Sequence, residues 1–246
     1  LLPEDGVLVA NKNIEALDTI TNGICCKVIT YSESQDADYT AANISYDALG
    51  NASFDLIRYG NLVGRICLSV AGAHNVSNAL STIAVADQLH IPLETIQKGI
   101  RSFTGTVRRF QYKGERNGFT IIDDYAHHPT EIRATLTSAQ NYPHKDIWCI
   151  FQPHTYTRTK AFFHEFAEAL ALADHVILAD IYAARETDTL GMSSEALAEE
   201  LKKLGADAYY LPTFEAIEEF VLEKVIHGDL LITMGAGDVV NIGESL

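Results

Sequence analysis

The sequence predicts an α/β protein in two parts, residues 1–106 built from strands followed by helices and residues 107–246 built on a mostly parallel sheet. Three observations predict it. In the first part, short apolar runs are separated by the turn pairs Gly50-Asn51 and Gly60-Asn61. In the second, strand-like and helix-like segments alternate at the spacing of crossovers between parallel strands. Between them, Thr104-Gly105-Thr106-Val107-Arg108-Arg109 has no periodicity, which puts a boundary near Thr106.

The elements follow in order. Strands are expected over 7–10 and 26–30, and then over 39–46, 53–58 and 62–70, the last three as an antiparallel meander because two-residue turns join neighbours. Residues 73–90 read as a helix with Val76, Leu80, Ile83 and Leu89 inward, while Asn75, Asn78 and Thr82 share another face. Leu93, Ile96, Ile100 and Phe103 mark a second helix. The second part opens with hairpin strands over 110–113 and 119–123. A helix over 129–141 and a strand over 147–151 come next, then a helix over 159–173 with Phe163, Phe166 and Leu170 inward. Strand 175–180, helix 194–204, strand 208–211, helix 214–226 and strand 230–233 complete the alternation, and Gly235-Ala236-Gly237 leads into a short helix. This half is Rossmann-like in architecture, with its sheet covered on both faces.

Charge and cysteine usage narrow the function. Eighteen Lys and Arg against 33 Asp and Glu leave a formal charge of −15, which opposes a protein that grips nucleic acid by its phosphates. The one long stretch without formal charge, 66–86, carries Gly72, His74, Asn75, Ser77, Asn78, Ser81 and Thr82, too polar to span lipid, so no membrane role is expected. Cys25, Cys26, Cys67 and Cys149 form no C-x-x-C pair, so neither a disulfide framework nor a structural zinc site is expected, and a cytoplasmic setting fits. The opening Leu1-Leu2-Pro3-Glu4-Asp5 has neither an initiator Met nor a signal peptide and reads as cut from a longer chain.

In an open parallel sheet, ligands bind beyond the carboxyl ends of the strands. Those ends are polar here: Asp123, Asp124, Tyr125, His127 and His128 after one strand, Gln152, His154, Thr155 and Arg158 after the next, then Asp180, Tyr182, Arg185 and Glu186, and Thr233 before the Gly-Ala-Gly turn. Arg158 stands in the first turn of a helix, where a cation is mildly unfavourable unless an anion joins it. It reads as a clamp for a carboxylate or phosphate, or as a solvated surface side chain. His127-His128-Pro129 is either a capping turn, with Pro at the first helical position, or part of a metal site for which His154 is the one further candidate. Asn75 and Asn78 suit the satisfaction of nearby backbone as well as a nucleobase edge. Arg108-Arg109 suits a solvated linker or a polyphosphate. Gly235-Ala236-Gly237 lacks the third glycine of a dinucleotide fingerprint, and no G-x-x-x-x-G-K-[ST] cradle occurs in the chain.

Four runs together resemble the Mur ligases: Ala73-His74-Asn75-Val76-Ser77-Asn78-Ala79, Phe103-Thr104-Gly105 with Arg108-Arg109-Phe110, Asp123 through Glu131 (D-D-Y-A-H-H-P-T-E), and Phe151 through Thr159 (F-Q-P-H-T-Y-T-R-T). The resemblance covers essentially the whole chain in order and is strongest to the branch that joins L-alanine to UDP-N-acetylmuramate. It implies residues 1–106 as the distal part of a central ATP-binding domain and residues 107–246 as the carboxyl-terminal ligase domain. The P-loop, most Mg²⁺ ligands and the UDP-binding domain fall outside this span, so the chain by itself is expected to be inactive. The implied reaction converts the lactyl carboxylate to an acyl phosphate with ATP, and the amine of L-alanine then displaces phosphate. Cations are needed at the transferring phosphoryl group and at the developing oxyanion.

By the same resemblance Asn75 and Asn78 face adenine, with His74 in the same motif, Arg109 meets the phosphates and Asp124 the ribose as the last domain closes. Tyr125, His128, His154 and Arg158 surround the amino acid and the reacting carboxylate, with Arg109, Asp124, His128 and Arg158 as the catalytic set. Some members carry Arg after the F-Q-P-H histidine where this chain has Thr155, which leaves more of the anchoring to Arg158. The competing readings are a murein-tripeptide recycling ligase, a non-catalytic nucleotide-binding module, and a metallohydrolase built on His127, His128 and His154.

Overall fold

A computed structural model describes residues 2–246 and divides the chain into two compact units, one ending at Thr104 and the other Gly105–Leu246. The first unit carries a sheet whose five strands lie side by side in chain order: β1 (Val7–Asn11), β2 (Lys27–Ser32), β3 (Tyr39–Tyr46), β4 (Asn51–Arg58) and β5 (Asn61–Ala71). The last three form the expected antiparallel meander, while β1, β2 and β3 pair in parallel. Tyr59 and Gly60 both adopt positive φ at the β4–β5 reversal, the geometry a two-residue hairpin turn demands. The short link between parallel β2 and β3 is possible because they meet only at Tyr31–Tyr39 and Ser32–Thr40, so the chain need not return along the whole strand.

Helix α1 (Leu17–Ile20) is a single turn, too short to leave a periodic signal in the sequence. Helices α2 (His74–Gln88) and α3 (Leu93–Ser102) cover the sheet, with Val76, Leu80, Ile83 and Ile96 packed on Ile29, Tyr39, Phe54, Leu56 and Ile66. Two expected inward residues point out instead. Leu89 lies beyond the end of α2, where His90 turns to positive φ, and is 68% exposed. Phe103 follows α3 in an extended conformation and is half exposed. Both had matched helical spacing, but the helix stops before reaching them.

The second unit is a six-stranded sheet of β6 (Gln111–Arg116), β7 (Phe119–Asp124), β8 (Ile147–Phe151), β9 (His175–Leu178), β10 (Asp207–Tyr210) and β11 (Leu230–Met234). Its order is β10-β9-β8-β11-β7-β6, and every pair is parallel except the β6–β7 hairpin. Successive strand residues bury opposite ways. Ile122, Cys149, Phe151, Val176, Leu178 and Ile232 pack under α4 (Pro129–Ala139), α6 (Phe163–Leu170) and α7 (Ser194–Lys203). Ile121, Trp148, Ile150, Ile177 and Leu231 pack under α8 (Phe214–Lys224) and α9 (Val240–Ser245). Burial of each such side chain contributes roughly 1.5–3 kcal/mol before entropy is counted. The single helix expected over 159–173 is instead two, because Phe162 leaves helical geometry at φ −119° and ψ 29° and separates α5 (Tyr156–Ala161) from α6.

Candidate functional site

Because β7, β8, β9 and β11 run parallel, their carboxyl ends share one edge, and the polar loops that follow them lie side by side there. The β7 end is fastened by two buried carboxylates with different partners. Asp123 accepts from Arg108 Nε at 3.0 Å and from Thr233 Oγ1 at 2.8 Å. The same guanidinium donates to the carbonyls of Gly235 and Gly237 at 2.7 and 3.1 Å and lies 4.9 Å from the centre of the Tyr125 ring. Arg108 therefore ties the start of β6, the end of β7 and the Gly-Ala-Gly turn together. A burial-distant partner set of this kind leaves no local signal in sequence, since Gly237 is 129 positions away.

Asp124 spends its oxygens on backbone: Oδ2 accepts from the Phe110 amide at 2.7 Å and Oδ1 from the Ala126 amide at 2.8 Å. It is 5% exposed, and that burial pushes its carboxyl above the ordinary carboxylate value despite those two amides. In this structure Asp124 shapes the loop carrying Tyr125 and His127. Its neighbour Arg109 is half exposed, with Nη1 4.0 Å from Glu131 and its guanidinium 5.8 Å from the Tyr125 ring centre.

His128 caps α4, its Nδ1 accepting from the Thr130 amide, while Glu131 reaches back to the amides of His127 and His128 and Pro129 fills the first helical position. The His128 ring packs edge-on against Phe162 at 4.7 Å. The capping reading thus accounts for His128. Burial alone pushes the Glu131 carboxyl up, but the His127 and His128 amides and nearby His127 and Arg109 bring it below its usual value.

A row of rings crosses the edge. Tyr125 meets His127 edge-on at 5.4 Å, His127 lies 6.2 Å from His154, and His154 stacks on Tyr182 at 5.5 Å. Thr155 caps α5 from a positive φ of 69°, a strained conformation for a β-branched residue, and brings Arg158 back over His154. Arg158 Nη1 lies 3.3 Å from His154 Nδ1 and 3.5 Å from the His154 carbonyl. Among the described residues no carboxylate lies within ion-pair range of Arg158, and its Nε and Nη2 have no protein partner. Neither is sealed, and both keep access to solvent in a half-buried side chain. Burial, Arg158 and His127 together hold the His154 imidazolium below its ordinary pKa, against a smaller opposing pull from Glu186.

Glu186 takes a part that the sequence did not disclose. It accepts from the Tyr156 and Thr157 amides at 2.5 and 3.1 Å and from the Thr157 hydroxyl, so it holds the amino end of α5 in place. The glycines of the next turn are also explained by close approach. A Cβ on Gly235 would stand 2.7 Å from the Gln152 carbonyl oxygen, and one on Gly237 would collide with the Gln152 side chain. Gln152 bridges there to Asp238 Oδ1 and the Val239 amide.

The first unit holds the asparagine motif at the start of α2. Asn75 Nδ2 donates to the Ala71 carbonyl at 2.7 Å and Asn78 Nδ2 to Asn75 Oδ1 at 3.0 Å, so Asn75 satisfies local backbone while Asn78 keeps its own carbonyl exposed. His74 is exposed at the first position of α2. Among the described residues no three His, Cys, Asp or Glu side chains converge as a metal site, so His127, His128 and His154 do not form one. No helix among them is long and apolar enough to cross a membrane.

Comparison with known proteins adds the family. Residues 108–237 match the family model of the Mur ligase glutamate ligase domain and residues 1–86 that of the Mur ligase middle domain. A UDP-N-acetylmuramate–L-alanine ligase of Lachnoclostridium phytofermentans is 52% identical over an alignment covering 100% of this chain and 54% of that protein. Among solved structures, the UDP-N-acetylmuramate–alanine ligase of Thermotoga maritima superposes with a TM-score of 0.75 at 29% identity, over 88% of this chain and 46% of that one. A MurF ligase of Thermotoga maritima, solved in complex with ADP, shares the fold with a TM-score of 0.69 at 15% identity, over 98% of this chain and 53% of that one. The chain spans about half the length of the curated relatives it matches. With two family models matched in order, one within each of two separately folded units, the chain belongs to the Mur ligase family.

Proposed function

We propose that this chain is the distal part of an ATP-dependent ligase that joins L-alanine to the lactyl carboxylate of UDP-N-acetylmuramate, in the synthesis of peptidoglycan precursors. The observation that carries the reading is Arg158. Its guanidinium is anchored at one nitrogen by His154, and its Nε–Nη2 edge is open with no carboxylate beside it. That edge is the planar two-donor fork that binds a carboxylate with parallel hydrogen bonds. A carboxylate is a poor electrophile, so ATP supplies the activation by phosphorylating it, after which the amine displaces phosphate.

The residues divide by what each is able to offer a nucleotide. In the first unit Asn78 presents an exposed amide carbonyl and one spare N–H, complementary to an adenine edge. In the second unit Arg109 is half exposed and only loosely paired, suited to a phosphate. Each Asp124 oxygen accepts one backbone amide, which holds the loop of Tyr125 and His127, and keeps a further acceptor position for the ribose hydroxyl that the resemblance assigns to it. No group of described residues suits Mg²⁺, and no step is assigned to that ion in this span. By the resemblance Tyr125, His128 and His154 surround the same carboxylate as Arg158, which belongs to the amino acid or to the acyl partner. His154 touches Arg158 directly, while His128 packs on Phe162 and Tyr125 on His127.

The test is ADP release by the full-length parent, supplied with ATP and UDP-N-acetylmuramate and with either L-alanine or murein tripeptide. Release with alanine is expected. Release with tripeptide alone would transfer the assignment to a recycling ligase, and release with neither would end the ligase reading.

A further inference from the structure

The contact between Arg158 and His154 fixes more than a position. A guanidinium has no lone pair to accept with and keeps its protons in a protein, so the 3.3 Å approach of Nη1 to Nδ1 makes Nδ1 the acceptor. A neutral imidazole that accepts at Nδ1 carries its proton on Nε2. His154 Nε2 has no protein partner among the described residues, yet it is not sealed from solvent. The ring is held on both sides, stacked on Tyr182 and facing His127. The ionisable groups around it are Arg158 from α5, His127 from the loop after β7, and Glu186 from the loop after β9; the first two oppose a proton on His154 and the third favours it. Arg158 and His154 thus present three donor nitrogens without a protein partner: Nε and Nη2 of the arginine and Nε2 of the histidine.

We infer that His154 is a hydrogen-bond donor to a bound carboxylate, locked in the Nε2–H form by Arg158, and is not the base that receives the amine's proton. The inference rests on the ligase reading for the identity of the carboxylate, but not for the tautomer. It assigns Arg158 two tasks with separate nitrogens: Nη1 orients the imidazole, and the Nε–Nη2 edge grips the anion. It also explains why a histidine stands beside an arginine at a site for an acid group, where a second cation would be costly when the site is empty and a neutral donor is not.

Two measurements test it. In the 246-residue chain, long-range nitrogen–proton correlation NMR of His154 should show a pyridine-type Nδ1 and a pyrrole-type Nε2 at neutral pH, with that preference lost in Arg158→Ala. A pyrrole-type Nδ1 in the wild-type chain overturns the inference. In the full-length parent, His154→Gln keeps an N–H donor and His154→Ala does not. Loss of one such donor costs roughly a hundredfold in kcat/KM for alanine, so the Ala variant should fall by about that factor and the Gln variant by about tenfold. The acidic limb of the kcat/KM profile for alanine should persist in His154→Gln; its disappearance would make His154 the base and overturn the inference. If the parent shows no alanine-dependent ADP release, the ligase reading fails while the NMR result still decides the tautomer.

Discussion

At the scale of single residues, the charged groups of the second unit divide into those that build the site and those left open to a ligand. Arg108 and Asp123 are builders. Asp123 is fully buried and its guanidinium partner largely so, and removing one member of such a pair strands the other. Arg108→Ala should cost about 3 kcal/mol in a denaturant titration, with Arg108→Lys recovering little because an ammonium cannot reach Asp123 and both glycine carbonyls at once. His154 carries a pH signature. Its pKa is below the ordinary 6.5, so the unfolded chain takes up a proton that the native site resists. The stability this contributes is present above about pH 6.5 and declines as the pH falls from there toward the native value. His154→Gln should flatten that part of the stability–pH curve; an unchanged acid slope would show that His154 is not the group responsible. The sequence offered a capping turn at His127-His128-Pro129 as one of two readings, because Pro129 suits the first helical position; the structure adds Glu131 as the other half of the capping box. The sequence could not disclose the work of Arg108 or Glu186, whose partners are brought in by strand order.

At the scale of elements, apolar spacing located nearly every strand and helix, and it erred where a pattern outlasted its element. Phe163, Phe166 and Leu170 keep helical spacing whether or not the chain breaks at Phe162, so the α5–α6 division was invisible to periodicity. The break matters for the site because α5 is a short, separately capped helix that delivers Arg158. The Gly-Ala-Gly turn gives the clearest test at this scale. Gly235→Ala places a methyl against a fixed backbone oxygen at an unfavourable φ of 148°, whereas Gly237→Ala, without a left-handed φ, meets side chains, those of Gln152 and Tyr182. Both should lower the melting temperature. Gly235→Ala should lose more, by roughly 1–3 kcal/mol, and equal losses would mean that Gln152 is as rigid as the backbone.

At the scale of the whole molecule, each unit has its own core, and in the second both sheet faces are covered. Residues 105–246 expressed alone should therefore unfold in one cooperative transition with intact near-ultraviolet dichroism. A gradual, non-cooperative melt would show that the unit depends on the rest of the chain. The parallel edge that gathers Tyr125, His127, His154, Tyr182 and Arg158 was legible in advance because strand ends in an alternating sequence must share an edge. Which of those groups stay uncommitted was not, since that depends on who pairs with whom after folding. The most direct test of the account is alanine-dependent ADP release by the full-length parent carrying Arg158→Ala. The account predicts that kcat/KM for L-alanine falls by roughly a hundredfold with the melting temperature nearly unchanged. A wild-type value in a folded variant would contradict it.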